Sequence, residues 1–122
     1  MIVLIIDDDK SRQLKLIRFW LNQAEKLGEE MFDYHWIKTC DNLLETLLSN
    51  KGISHISFDH DLGTTDVSRE LAILYNERPD DFDKAFQDKT VVVHSANPIG
   101  AQNIANRLYG ICDVSIIPIT QM

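Results

Sequence analysis

The chain has 122 residues, of which 44% are hydrophobic and 25% are charged, and its formal net charge is −7. This length and balance describe one globular domain over residues 1–122 and exclude a disordered chain. The negative charge excludes a surface that grips many phosphates of duplex DNA, but it permits a small phosphorylated ligand or a single RNA end. No apolar run approaches the roughly 20 residues of a membrane helix, so no membrane partner is expected.

The opening residues MIVLII are an apolar run of strand length rather than a targeting segment. They lack the basic region before the run and the cleavage site after it that a secretory signal has. Cys40 and Cys112 fit a reduced, cytoplasmic protein, because neither has a CxxC or metal-ligand spacing. The two thiols could pair, but we expect them to pack as small hydrophobic groups.

Apolar runs of strand length alternate with segments of helical periodicity along the chain. The predicted strands are residues 2–6, 34–38, 55–58, 90–93 and 114–117, and the predicted helices are residues 11–27, 41–49, 66–78 and 98–110. Residues 80–89 predict only a short, loosely helical insertion. Five β–α alternations with a short or absent last helix predict a parallel sheet with helices on both faces.

Several details of these helices follow from the residue types. The first helix is expected to bury Leu14, Ile17, Leu21, Ala24 and Leu27 and to end at Gly28. The second is expected to begin at Asp41 as its N-cap and to bury Leu44, Leu47 and Leu48. We expect Asp66 and Asn97 to cap the third and fourth helices, with Pro79 stopping the third and Pro98 opening the fourth.

Polar residues follow three of the predicted strands directly. They are the groups at residues 7–9, 59–61 and 94–97. In open parallel sheets, ligands bind beyond the carboxyl ends of the strands, where the strand order switches. The three groups are therefore predicted to converge at one edge of the sheet.

Three segments resemble the receiver domains of two-component response regulators. In VLIIDDDKSR, the resemblance implies that Asp7 and Asp8 help to hold magnesium; in ISFDHDLG, it implies that Asp59 is the phosphoryl acceptor. In TVVVHSA it places Ser95 at the hydroxyl position, and it implies a flavodoxin-like strand order of 2-1-3-4-5. The segment GICDVSIIP aligns with the last strand, but Ile117 stands where receivers carry lysine before proline, which weakens an ordinary phosphorelay role.

The pieces FDHDLG and VHSANPIGAQN resemble a divergent receiver family, the cyclic-phosphate processing receiver domains. Ordinary receivers have neither piece. The resemblance implies action on cyclic phosphate ends and a link to RNA repair and conflict systems. It therefore implies a phosphorylated small molecule or an RNA end as the partner.

The residue types at the predicted edge suit phosphoester chemistry. Three carboxylates, Asp7, Asp8 and Asp59, would repel one another without a hard cation such as Mg²⁺ or Mn²⁺. Asp59 is either a nucleophile toward phosphorus or a metal ligand. Asp61 suits general acid–base work, or it is a turn residue that bonds its own loop. Asp9 is expected only to start the first helix.

Two histidines and two hydrogen-bond donors complete the predicted site. His94 is a candidate for proton transfer, with Asp61 as a partner, or else a half-buried histidine bonded to a backbone carbonyl. For His60, packing and function are equally expected. Ser95 and Asn97 are candidates to bind phosphate oxygens together with the start of the fourth helix, although Asn97 could be only its cap.

Three hypotheses follow. The first is a metal-dependent enzyme that hydrolyses or remodels a phosphoester such as a cyclic phosphate. The second is a signalling module in which Asp59 is phosphorylated. The third is a module that binds a phosphorylated ligand without turnover.

Overall fold

The computed structural model describes all residues from Met1 to Met122. Its strands are β1 (Ile2–Ile6), β2 (Asp33–Ile37), β3 (Ile53–Phe58), β4 (Asp61–Leu62), β5 (Thr65–Asp66), β6 (Thr90–Val93) and β7 (Asp113–Ile116). Its α-helices are α1 (Gln13–Lys26), α2 (Leu43–Ser49), α3 (Val67–Glu77), α4 (Pro79–Phe86) and α5 (Pro98–Leu108). Short 3₁₀ turns occupy Lys10–Arg12 and Ile119–Gln121.

Five strands form one parallel sheet in the order β2-β1-β3-β6-β7. Strands β4 and β5 make a separate antiparallel ribbon, which was not predicted. When only the strands of the large sheet are counted, the order is the predicted 2-1-3-4-5. The receiver-like, flavodoxin-like fold class is confirmed.

Helices cover both faces of the sheet, as the alternating pattern predicted. On one face, a cluster of 19 buried residues packs beneath α2, α3, α4 and α5. On the other face, a cluster of 6 buried residues packs beneath α1 and the last 3₁₀ turn. The β-branched and leucine residues of β1 contribute to both clusters, which explains why that strand is apolar throughout.

The predicted buried face of α1 is partly wrong. Ala24 is buried and Ile17 packs against the smaller core cluster, as predicted. Leu14, Leu21 and Leu27 are exposed, and the helix buries Leu16 and Trp20 instead. Both sets fit helical spacing, because this segment carries apolar residues on more than half of its circumference. The apolar stripe that contains Trp20 faces the sheet, because the large apolar surface of tryptophan gains the most from burial.

Two other local predictions need correction. Asp41 does not cap α2: the N-cap is Asn42, in the left-handed region at φ 58°, where a short polar side chain is tolerated. Residues 80–89 are not a loose insertion, since α4 is a regular helix that begins with Pro79. Its Phe82 and Phe86 lie in the larger core, with ring centroids 4.7 Å apart.

The helix caps and stops at α3 and α5 are as predicted. Asp66 accepts a hydrogen bond from the backbone of Arg69, and Asn97 accepts one from the backbone of Gly100.

The hydrogen-bond ladder of the sheet continues one residue beyond three strands. The backbone nitrogens of Asp7, Asp59 and His94 bond to the neighbouring strands at 3.1, 2.9 and 2.8 Å, which places these residues at one edge. None of the helices has the length and apolarity needed to cross a bilayer.

Candidate metal and phosphate site

The acidic residues after β1 and β3 meet at the carboxyl edge of the sheet. Asp7, Asp8 and Asp59 each offer a carboxylate oxygen, and these oxygens lie within 4.8 Å of one another. Asp7 and Asp59 are buried, whereas Asp8 is exposed and opens the cluster to solvent. The predicted convergence of the two strand tips is confirmed.

Neighbouring groups hold two of these carboxylates in fixed orientations. Asp7 accepts hydrogen bonds from the backbone of Asp9 at Oδ1, 2.8 Å, and from His94 at Oδ2, 2.9 Å. Asp8 accepts one from the backbone of Gly63 at 2.7 Å. Gly63 has φ +63°, a conformation that glycine adopts without strain. The acidic run after β1 is thereby tied to the loop after β3.

His94 is completely buried and lies behind the carboxylate cluster rather than in it. Its Nδ1 is 2.7 Å from the Ser57 hydroxyl, and its Nε2 is 2.9 Å from Asp7 Oδ2. A carboxylate only accepts hydrogen bonds, so Nε2 carries a proton, and in the neutral ring the Ser57 hydroxyl donates to Nδ1. This arrangement fixes both the histidine and Asp7.

The predicted pairing of His94 with Asp61 is wrong. The structure pairs His94 with Asp7 and Ser57, and it pairs Asp61 with His60 at 2.7 Å. The alternative, a half-buried His94 bonded to a backbone carbonyl, is also wrong, because both of its partners are side chains. Strand alternation does not determine how a residue beyond a strand end is oriented, so the sequence could not show this.

His60 is buried between two exposed carboxylates of the β4–β5 ribbon. Its Nδ1 is 2.7 Å from Asp61, and its Nε2 is 2.9 Å from Asp66 without the alignment of a hydrogen bond. A hydrogen bond from Ser68 is the main reason that the pKa of Asp66 lies below its ordinary value, and His60 adds to this effect.

Gly100 lies directly on the His60 ring, and this contact requires glycine. A β-carbon at position 100 would come 2.4 Å from His60 Cγ, which no packed structure tolerates. The contact joins the DHDLG segment to the first turn of α5. The two segments that carry the family resemblance are thus parts of one packed unit.

Ser95 and Asn97 keep free donors at the start of α5. Ser95 is buried, and its hydroxyl oxygen accepts a hydrogen bond from the backbone of Asn97 at 3.1 Å. Asn97 uses its carbonyl oxygen to cap the helix at 3.0 Å, so its amide NH₂ is unused. The Ser95 hydroxyl hydrogen also has no acceptor in the structure. Capping and anion binding by Asn97 are therefore compatible.

Arg12, which was not predicted as a site residue, is the principal counter-charge of the cluster. Its Nη1 lies 3.2 Å from Asp59 Oδ2 and 3.5 Å from Asp7 Oδ2, and its Nε lies 3.6 Å from Asp9. Arg12 immediately precedes α1, where the positive end of the helix dipole disfavours a cation. An arginine at that position, just after an acidic run, is a sequence signal for a buried anionic partner.

The charges around Asp59 act against one another. Burial, and then the negative charge of Asp7, raise the pKa of Asp59 above its ordinary value, against the opposing effects of His94 and Arg12. The pKa of Arg12 is raised because Asp7 and Asp59 together outweigh its partial burial. Three carboxylates face one guanidinium, so the cluster keeps uncompensated negative charge.

The donor set of this cluster fits a hard divalent cation. All three ligands are carboxylates, and such oxygen ligands in a site open to solvent are those that Mg²⁺ and Mn²⁺ prefer. The guanidinium already places a positive charge against two of the three, which shows that the site favours a cation. The cluster can therefore bind a metal ion.

A parallel sheet in this order with an acidic cluster at its carboxyl edge is characteristic of receiver domains. Solved structures of receiver domains have the same fold. A response regulator receiver protein from Pseudomonas putida is 14% identical, with a TM-score of 0.58 over 94% of this chain and 84% of that one. A response regulator from Burkholderia pseudomallei with a phosphorylated aspartic acid, calcium ion and citrate is 19% identical, with a TM-score of 0.52 over 96% of this chain and 59% of that one.

A third solved structure is the MaeR response regulator bound to beryllium trifluoride. It is 23% identical, with a TM-score of 0.51, and the match covers 88% of this chain and 78% of that one. Identities this low establish the shared fold alone. A search of the curated proteins finds no match.

The family is established by sequence. The family description "Cyclic-phosphate processing Receiver domain" matches residues 2–110, which include every site residue discussed above. The chain belongs to this family of receiver domains.

Proposed function

We propose that this domain is a divalent-metal-dependent phosphoesterase that opens cyclic phosphates, at RNA ends or in cyclic nucleotides. The observation that carries the proposal is the cluster of Asp7, Asp8 and Asp59, whose oxygens lie within 4.8 Å of one another, in a chain of the cyclic-phosphate processing receiver family. The partner is then a small phosphorylated molecule or an RNA end, which agrees with a net charge of −7 that disfavours long nucleic-acid footprints.

Mg²⁺ or Mn²⁺ held by the three carboxylates would draw negative charge from the phosphate oxygens. Asp59 has two candidate roles, because a carboxylate at this place either holds the cation or attacks phosphorus. In hydrolysis, one P–O bond to water oxygen forms and one ester P–O bond of the ring breaks. The oxygen released from the ring takes a proton and becomes a hydroxyl group.

The remaining side chains would bind phosphate oxygens, orient Asp7 and exchange a proton. The free hydrogen of Ser95 and the free amide of Asn97 would hold phosphate oxygens at the start of α5. His94 is too deeply buried to contact a substrate, so its role is to orient Asp7. Asp61 is exposed and bonded to His60, which makes it the better group to exchange a proton with the reacting oxygens.

The test uses an RNA oligonucleotide that ends in a 2′,3′-cyclic phosphate, incubated with the protein and Mg²⁺ or Mn²⁺. We expect a linear phosphate product from the wild type, detected by mass spectrometry, and its loss with EDTA or with Asp59→Asn. The His94→Ala variant should be slower. Equal product from all proteins would identify a contaminant, and no product from any would contradict the proposal.

A second function, phosphoryl signalling, is favoured by one observation. Asp59 lies at the tip of the third strand of the sheet, and the fold is shared with response regulators. The lysine position holds Ile117, which counts against this function. Incubation with acetyl phosphate and Mg²⁺ would separate the two, because signalling predicts a mass increase on Asp59. Ligand binding that Asp59→Asn leaves unchanged, without product, would instead indicate a binding module.

A further inference from the structure

The site lacks a lysine at position 117, yet it contains one cationic side chain against its acidic cluster. Arg12 is the sole lysine or arginine that reaches Asp7 or Asp59. The same nitrogen, Nη1, reaches both of these carboxylates through their Oδ2 atoms. Arg12 therefore competes for oxygens that a cation would also use.

We propose that Arg12 is the anion-binding side chain of this site. It neutralises Asp7 and Asp59 while no divalent cation is bound, and it contacts the phosphate oxygens of the substrate once the cation has taken over those carboxylates. This inference rests on the proposed function and names the residue that supplies the positive charge where Ile117 cannot.

The geometry of Arg12 is compatible both with pairing to the carboxylates and with binding to a phosphate group. Its Nη2 nitrogen makes no hydrogen bond, so part of the guanidinium fork is free to bind an anion. The side chain is 26% exposed, so it can extend toward solvent. It also sits on a short 3₁₀ turn just before α1, outside the regular sheet and helices.

Charge supports the exchange between the two states. A cation on the oxygens that Arg12 now contacts would repel the guanidinium at short range, and this repulsion drives the side chain away. A phosphate group held beside the cation is the nearest anion that the displaced guanidinium can reach. Arginine suits this role because its planar fork matches two phosphate oxygens at once.

The first test measures Mn²⁺ binding in the absence of any phosphate, from the electron paramagnetic resonance signal of free Mn²⁺. We expect Arg12→Met to bind Mn²⁺ at least about fivefold more tightly than wild type, since the competing charge is gone. Arg18→Met is the matched control, because it removes the same charge from an exposed position on α1. It should leave Mn²⁺ affinity unchanged.

The second test measures inorganic phosphate binding in saturating Mg²⁺ by titration calorimetry. Arg12→Met should lose at least about tenfold in phosphate affinity, and Arg12→Lys should lose less because it keeps the charge without the fork. Arg18→Met should again match wild type. Weaker Mn²⁺ binding by Arg12→Met, or unchanged phosphate binding, would overturn the proposal and leave Arg12 as a fixed counter-ion.

Circular dichroism decides whether Arg12→Met is folded. If it is not, Arg12→Lys carries the test: a phosphate affinity equal to that of wild type would overturn the proposal. The outcome is separable from the proposed function. If wild type leaves the cyclic RNA intact but Arg12→Met changes both Mn²⁺ and phosphate binding as expected, only the proposed enzymatic function is contradicted. If wild type turns over the RNA but Arg12→Met changes neither affinity, only the role of Arg12 is contradicted.

Discussion

His94 donates a hydrogen bond to Asp7 across 2.9 Å, and both side chains are completely buried. A histidine so placed sets the direction of the carboxylate lone pairs that remain for a cation. Such outer partners of metal ligands commonly change metal affinity by about 10–100-fold when they are replaced. The relationship therefore leads to a prediction about metal binding rather than about proton transfer.

We expect His94→Leu to bind Mn²⁺ about 10–100-fold more weakly than wild type, because Asp7 loses its fixed partner. His94→Gln should retain most of the affinity, since a glutamine amide can donate to Asp7 from nearly the same place as Nε2. His35→Gln, at an exposed position on β2, is the control. Equal losses in the Leu and Gln variants of His94 would show that the ring is required for packing and not for orienting Asp7.

Removal of the Asp59 charge should stabilise the metal-free protein and weaken its binding of Mg²⁺. Burial and Asp7 raise the pKa of Asp59, so the ionised Asp59 side chain destabilises the metal-free protein. We expect Asp59→Asn to have a higher melting temperature than wild type in EDTA. Wild type should gain stability as Mg²⁺ is added, and the variant should gain much less. Equal Mg²⁺-dependent gains would mean that the cation binds elsewhere.

The contact between Gly100 and His60 predicts a coupled pair of mutations. Gly100→Ala should destabilise the protein by about 1 kcal/mol, because overpacking costs about 1–3 kcal/mol and the roughly 1 kcal/mol that alanine gains in a helix offsets only part of this cost. In a His60→Ala background the clash is gone, so the same change should be neutral or stabilising. Urea denaturation of the four proteins measures the coupling, and additive effects would contradict the contact.

Both cysteines should resist alkylation in the folded protein. Burial, with smaller contributions from Glu70 and Asp41, raises the pKa of Cys40 to about 12, and burial with Asp113 raises that of Cys112 to about 11. At pH 8 the reactive thiolate is then about one part in a thousand or less. Iodoacetamide should label the native protein slowly and the urea-unfolded protein fast. Similar rates in the two states would show that the thiols are accessible.

The parallel sheet could be predicted from the sequence because its signals are local and redundant. Three strands of the sheet, β1, β3 and β6, end in apolar residues that polar residues follow directly, and the caps at Asp66 and Asn97 have unambiguous chemistry. The proximity of Asp7, Asp8 and Asp59 could be predicted because the carboxyl ends of parallel strands lie at one edge of the sheet. Only topology was needed for that step.

The errors arose where side-chain direction or competing apolar residues decide the outcome. α1 offers two apolar stripes, and Trp20 selects one of them only when the sheet is present. α4 looked irregular because its many aspartates hide the spacing of Phe82 and Phe86. The burial of His94 and the reach of Arg12 depend on rotamers beyond strand and helix ends, which periodicity does not describe.

The bond from the Gly63 backbone to Asp8 gives the site a built-in reporter. One acceptor atom, Asp8 Oδ2, now protects that amide hydrogen from exchange with solvent, at a distance of 2.7 Å. A ligand that recruits Asp8 changes the lifetime of that hydrogen without any need for turnover. The Gly63 amide therefore makes occupancy of the acidic cluster visible to deuterium exchange, one hydrogen at a time.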